Sequence, residues 1–279
     1  MINSQQTLQC KGKILDISTP IIMGILNITP DSFFEQSRQM DINAIAAVAG
    51  KMLEEGADIV DIGGMSSRPG AKIITIEEEL ERVIPAIKTI IKKHPSCIIS
   101  IDTVHAQVAK EAIFAGASMV NDISAGKIDD EMYSTVADLG VPYVLMHMKG
   151  KPENMQRSTD YKDVTKDVLD FLIKEVFKLR NLGIKDIIID PGFGFGKTID
   201  QNYKLLQQLH IFKILDCPVL AGLSRKSMIY TYLNTSPEKA LNGTTALNLV
   251  ALQQGAKILR VHDVKEAKET ILLWKKLEH

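Results

Sequence analysis

Residues 57–64 read ADIVDIGG, a short apolar run rich in Ile and Val that closes on two glycines. A run of this length, bounded by turn residues, reads as a strand buried on both faces of a parallel sheet. Working outward, seven more runs of the same kind appear: PIIMGILN (20–27), CIISID (97–102), SMVND (118–122), PYVLMH (142–147), DIIIDPG (186–192), PVLAG (218–222) and KILRVH (257–262). Longer stretches of helical period lie between them, at 42–55, 77–93, 160–181, 238–254 and 263–276. The 77–93 stretch begins acidic and ends basic, the order a helix dipole favours. Gly56, Gly116, Gly140, Gly183 and Gly255 each stand just before a strand, where a helix end often needs the left-handed conformation. Eight such units predict an α/β fold, a (β/α)8 TIM barrel forming a single domain over 20–279. Residues 1–19 read as an N-terminal lead-in, a small hairpin covering the barrel floor. An open doubly wound sheet is the structural alternative.

Composition narrows the function. The chain has 279 residues, 45% hydrophobic and 24% charged, which is ordinary for a globular protein and long enough for one large core. Lys plus Arg total 33 against 34 Asp plus Glu, so no broad basic surface for nucleic acid is expected. Cys10, Cys97 and Cys217 are far apart and odd in number, which fits neither a disulfide framework nor a CxxC site. No signal-like N-terminus and no membrane-length apolar stretch is visible. The expectation is a cytoplasmic protein with no membrane partner and no HExxH zinc chemistry.

A barrel of this kind carries its chemistry at the C-terminal ends of its strands. Here those ends hold Asn27, Gly63, Gly64, Asp102, Asn121, Asp122, His147, Asp190, Gly222, Arg260 and His262. Asp102 and Asp190 close apolar strands, and a buried carboxylate needs donors. A guanidine-like or aminopyrimidine ring edge offers two parallel N–H groups, the partner a carboxylate prefers, and Asn121 can both give to and accept from such a ring. Either aspartate could instead cap the next helix or pair with Lys226. A cationic set lies beside them: Arg68 after the second strand, Arg225 and Lys226 after the seventh, Arg260 and His262 at the eighth. Arg260 and His262 are two apart and share a side, near the last helix N-terminus, where barrels often bind phosphate. His262 could equally cap its own loop.

Two glycine-rich loops stand out, and the first resembles a nucleotide motif. DPGFGFGKT (190–198) fails the P-loop pattern because Pro191 holds the first glycine's place. It fails GxGxxG because Lys197 holds the last. The loop then reads as a connection with Phe193 and Phe195 as lids or packing residues. GGMSSRPGA (63–71) reads as a loop able to close over a ligand, or as a long surface connection.

Taken in order, MGILNITPDSF (23–33), GGMSSRPGA (63–71), SIDT (100–103), VNDIS (120–124), LMHMKG (145–150), DPGFGFGK (190–197), SRKSM (224–228) and RVHDV (260–264) resemble the dihydropteroate synthases of the bacterial folate pathway. The resemblance implies a transferase that joins 6-hydroxymethyl-7,8-dihydropterin pyrophosphate to p-aminobenzoate, with magnesium, and is a sulfonamide target or a resistant variant of one. It implies that Asp102, Asn121, Met146, Asp190, Gly222 and Lys226 hold the pterin. It implies a p-aminobenzoate site of Phe33, Ser67, Arg68, Pro69, Phe195, Lys226 and Ser227. It places the pyrophosphate on Asn27, Ser67, Arg68, Arg260 and His262, the metal on Asn27, and catalytic roles on Arg68, Lys226, Asp102 and Arg260. A homodimer through the outer helices is implied as well. The chain departs from the family's usual GGESTRPG at Met65 and Ser67, and its first loop continues as FEQSRQ (34–39). Those departures bear on loop closure and sulfonamide affinity.

Three other readings are open to the same residues. A pterin-binding methyltransferase would have little use for a pyrophosphate site. A Schiff-base aldolase would use Lys226 as nucleophile, yet Lys226 follows a strand rather than lying in one. A pterin binder without turnover would keep the pocket and lose the chemistry.

Overall fold

The computed structural model describes residues 5–28, 38–65, 73–150, 155 and 159–278, and side chains from residue 42 in the first helix. An antiparallel hairpin, β1 (Thr7–Cys10) and β2 (Lys13–Asp16), opens the chain. The barrel strands follow: β3 (Ile21–Asn27), β4 (Ile59–Gly63), β5 (Ile99–Asp102), β6 (Met119–Asp122), β7 (Tyr143–Met146), β8 (Ile187–Asp190), β9 (Leu220–Ala221) and β10 (Ile258–Val261). They pair in parallel in the order β8-β7-β6-β5-β4-β3-β10-β9. A parallel bridge between Ile189 and Val219 joins β8 to β9 and closes the ring.

The helices lie between the strands: α1 (Arg38–Glu54), α2 (Ile76–Lys93), α3 (Ala106–Ala115), α4 (Met132–Leu139), α5 (Val164–Asn181), α6 (Ile199–Gln207), α7 (Ser227–Tyr230), α8 (Leu241–Gln253) and α9 (Val264–Glu278). Local chemistry sets several ends. Thr75 caps α2 by accepting from the Glu78 N–H at 3.2 Å. Thr198 and Gln201 form a reciprocal capping box at the start of α6. All five helix-ending glycines have positive φ, from 60° at Gly140 to 127° at Gly116.

The strand period of two builds the interior in layers. Ile21, Met23, Ile59, Ile98, Met119, Val144, Ile188, Leu220 and Ile258 fill the lower barrel with an apolar cluster. Leu8, Cys10 and Ile17 of the lead-in belong to that cluster and are fully buried. The hairpin therefore plugs the floor. Two residues further along the same strands come Asp61, Asn121, Met146, Asp190, Gly222 and Arg260. One interior is thus apolar below and polar above, and the polar end is the C-terminal rim.

Candidate active site

Register places the rim residues side by side. Asn27 pairs with Gly63, Gly63 with Asp102, Asp102 with Asn121, and Met146 with Asp190. All lie within the last turn of pleat before the loops, so their side chains share one mouth.

At the centre stands Arg260. Its Nε donates to Asp61 Oδ2 at 2.7 Å, and a terminal nitrogen donates to Asp102 Oδ2 at 2.6 Å. Asn121 Nδ2 donates to the same Asp61 oxygen at 3.0 Å. Burial works against the guanidinium's charge, but Asp61 and Asp102 outweigh it and hold the group protonated more firmly than usual. Burial raises the Asp102 carboxyl above the ordinary carboxylate range, the Arg260 charge opposes it, and Asp61, Asp122 and Asp190 add to the rise.

Asp190 sits across the mouth. Its Oδ1 accepts from the Gly192 N–H at 2.7 Å, and burial again lifts its carboxyl against the pull of Lys226. Lys226 donates to the Phe193 carbonyl, and its ammonium lies 4.8 Å from the Phe195 ring centroid. Burial pushes this lysine down to about 8, although Asp190 favours its charge. A Cβ at Gly222 would lie 3.6 Å from the Lys226 ammonium and 3.9 Å from Asp190 Oδ2, so glycine keeps this part of the mouth open for a flat ligand. Met65, Val104, Ile123, Met146, Met148, Met155 and Phe195 form an apolar cluster at the same end.

The structure takes Arg225 out of the sequence's cationic set. Arg225 does not join Lys226: it turns away and forms a bidentate pair with Asp263, at 3.0 and 2.6 Å. Its backbone takes a left-handed φ of 54°, which swings consecutive side chains apart. Arg260 points into the barrel, and His262 stands at the rim with its Nδ1 3.0 Å from the buried Ser224 Oγ. Ser227 is half-buried at the start of α7. Phe33, Ser67, Arg68 and Pro69 lie outside the described residues.

One contributor, Asp61, is not among the residues to which the sequence points. Asp61 is fully buried at the heart of the network, yet it is embedded in an apolar run. Its position two before Gly63 was the available signal, since it shares the inward face of β4. Lys197 and His147 form a buried pair under the Asp190 loop, with Lys197 Nζ 3.1 Å from His147 Nδ1. His147 stood out only as a strand end, and Lys197 only as a break in a glycine motif.

Among the described residues no group of three His, Cys, Asp or Glu side chains could hold a metal ion. Magnesium does not need one, because it keeps waters and takes oxygens from a bound phosphate alongside one or two protein ligands. Asn27 Oδ1 lies at the rim, 3.3 Å from where a Gly63 Cβ would stand, so the glycine leaves space beside that oxygen. The donor set fits an ion carried largely by a diphosphate.

Comparison with known proteins decides the family. The model of the family described as pterin binding enzyme matches residues 23–262. A dihydropteroate synthase of Haemophilus influenzae is 44% identical over 269 residues, covering 96% of this chain and 97% of the relative. The structure of Xanthomonas albilineans dihydropteroate synthase with 4-aminobenzoic acid superposes with a TM-score of 0.91 at 41% identity, covering 99% of both chains. The same organism's enzyme in complex with 7,8-dihydropteroate gives 0.87 at 38% identity, covering 98% of both chains. The chain belongs to the dihydropteroate synthases. Its activity is therefore that of a dihydropteroate synthase, a transferase that takes small-molecule substrates.

Proposed function

We propose that the two halves of the mouth divide the reaction between them. The pterin of 6-hydroxymethyl-7,8-dihydropterin pyrophosphate lies over Gly222. Its guanidine-like edge gives N–H groups to Asp102 and Asp190, with Asn121, Met146 and Lys226 completing the pocket. A carboxylate accepting two parallel N–H groups gains both strength and orientation. Arg260, His262, Asn27, Ser67 and Arg68 receive the diphosphate. Asn27 also contributes to magnesium, which when bound would neutralise charge on the leaving group. p-Aminobenzoate occupies a slot of Phe33, Ser67, Arg68, Pro69, Phe195, Lys226 and Ser227.

An arylamine is a weak neutral nucleophile, so the exocyclic methylene carbon must be activated. The C–O bond to pyrophosphate breaks first, and the pterin ring shares the positive charge left on that carbon. The amine nitrogen then forms the new C–N bond and loses a proton. No side-chain nucleophile is required. Arg68, Lys226, Asp102 and Arg260 orient the partners and stabilise charge, and the apolar cluster keeps water out.

The observation that carries this reading is the single polar layer, Asp61, Asp102, Asn121, Asp190 and Arg260, set on an apolar barrel with Lys226 beside it. The test is pyrophosphate release from the pterin substrate with magnesium, with and without p-aminobenzoate, with the pterin product identified. Release that depends on p-aminobenzoate and yields dihydropteroate is expected. Asp190→Asn and Lys226→Ala are expected to lose pterin binding, whereas Arg68→Ala mainly slows turnover with p-aminobenzoate. Unchanged pterin affinity in both of the first two variants would sink these assignments. Sulfonamide inhibition of the same assay reads the effect of Met65 and Ser67.

The assembly in this reading is a homodimer through the outer helices, in the cytoplasm. Exposed Tyr232, Leu233, Leu272, Leu273 and Leu277 support an apolar contact near α7 and α9. The three buried, unpaired cysteines suit a reducing compartment, and no described helix is long and apolar enough to cross a membrane. Light scattering that returned a monomer at micromolar concentration would remove the dimer.

A further inference from the structure

The loop after β8 is built around a buried ammonium. Gly192, Gly194 and Gly196 all have positive φ, at 73°, 80° and 62°, so the backbone coils with alternate residues in the left-handed region. Lys197 reaches back into that coil and is 3% exposed. Its Nζ donates to the Gly192 carbonyl at 2.8 Å and the Phe195 carbonyl at 3.1 Å, and the His147 carbonyl lies at 3.5 Å. The His147 ring completes the cage, and burial holds that ring neutral, well below its ordinary range, with Lys197, Lys127 and Lys149 adding to the effect. A neutral imidazole can present Nδ1 as acceptor to the ammonium.

The cage touches the active site at three points. Gly192 is tied at both ends: its N–H goes to Asp190 Oδ1 at 2.7 Å and its carbonyl takes the Lys197 ammonium. The Phe193 carbonyl accepts from Lys226, and Phe195 places its ring under the same ammonium. None of the atoms bonded to Lys197 carries a formal charge; burial pushes it down to about 7, Asp190 favours its charge and Lys226 opposes it, so its positive charge is fully present only below that pH.

We propose that Lys197 is a positioning residue of the reaction: its ammonium shapes the 191–197 loop beneath Lys226 and Phe195 and stands as a positive charge behind the Asp190 carboxylate. The proposal rests on the placement of the pterin against Asp190 and Lys226 given above. Asp190 must be an anion to accept two N–H groups. The groups that face it are Lys226, Arg260, Lys197, the Gly192 N–H and Asp102. Lys226 and Asp190 face Lys197 in turn, and Lys127, Lys149, Phe171 and Tyr161 lie around His147. Removing the Lys197 charge therefore shifts Asp190 toward its protonated form, which binds the ring edge poorly.

The experiment is calorimetric titration of the full chain with unreactive 6-hydroxymethylpterin from pH 5 to 9. Lys197→Gln, Lys197→Met, Lys197→Arg and Asp190→Asn are compared with the unaltered protein, with melting curves for each. Lys197→Gln and Lys197→Met are expected to weaken binding on the order of tenfold near pH 6, where Lys197 carries its charge. The pH below which affinity falls should move up by about one unit. Lys197→Arg keeps the charge and should return that limb toward its original position. If Lys197→Met does not fold, the Gln and Arg pair decides the matter, since it separates hydrogen bonding from charge. Unaltered affinity and limb in Lys197→Gln, with binding lost in Asp190→Asn, would overturn the proposal and leave the pterin placement intact. An equal loss at every pH, unrescued by arginine, would overturn it too, because a purely structural lysine behaves that way. Full binding by Asp190→Asn would remove the pterin placement itself and the proposal with it.

Discussion

At the scale of single residues, the site depends on positions with little freedom. A Cβ at Gly192 would lie 1.9 Å from the His147 carbonyl oxygen, and its φ of 73° is costly for any residue with a side chain. Gly192→Ala should destabilise the protein by about 2 kcal/mol or more, measured by denaturant unfolding. It should also weaken pterin binding, because Asp190 loses the fixed N–H it leans on. Asp61 is the second such position. It holds Arg260 and Asn121 together, and one of its oxygens, Oδ1, finds no partner among the described residues. Asp61→Ala leaves Arg260 with Asp102 alone, and the expected loss lies toward the lower end of about 3–5 kcal/mol. No change in melting temperature would show that Asp102 alone satisfies the guanidinium. The contrast with Asp102 and Asp190 explains what was legible in the sequence. Those two end their strands, where a polar residue after an apolar run is conspicuous. Asp61 lies inside its run, and Lys197 owes its importance to a loop coiling that no residue period announces.

At the scale of elements, the eight strands were legible because each is a compact apolar run flanked by turn residues. The long helices showed their period. α4 and α6, of 8 and 9 residues, are too short for the period to stand out, and their ends are set by capping and by the next strand. α2 carries a feature that periodicity does not predict. Glu79 is fully buried on its inner face, packed so closely on Gly64 that a Cβ there would meet its Cγ at 2.9 Å. Neither carboxyl oxygen has a hydrogen-bond partner of normal geometry among the described residues. Burial pushes this acid up from 4.5 to about 7, against a smaller pull from the Thr103 hydroxyl. The folded state thus prefers the protonated form. Its contribution is fully present below about pH 4.5 and is lost as pH rises through 7, reaching about 3 kcal/mol. Glu79→Gln cannot ionise. Its stability relative to the unaltered protein should rise between pH 4 and pH 8 by an amount of that order. Parallel stability curves for the two proteins across that window would show that Glu79 keeps its charge in the fold.

At the scale of the whole molecule, the barrel separates what holds it together from what it does. The floor is apolar, and the hairpin closes it with Leu8, Cys10 and Ile17, all fully buried. The rim gathers groups that folding does not favour: Asp102 and Asp190 with raised carboxyls, Lys226 and Lys197 with lowered ammonium groups. Active sites commonly hold such groups at a cost in stability. Truncating a floor residue and truncating the crowded Lys226 ammonium should therefore have opposite effects on stability. Leu8→Ala leaves a cavity in the floor and is expected to cost about 2–5 kcal/mol. Its kcat at a temperature where it is fully folded should be unchanged, because the chemistry sits at the far end of the barrel. Lys226→Ala removes a crowded ammonium from the rim, so its melting temperature should hold or rise while pterin binding disappears. The comparison needs only melting curves and turnover for the two variants. A Lys226→Ala protein that melts well below the unaltered chain would mean that this ammonium contributes to the fold as well as to the reaction.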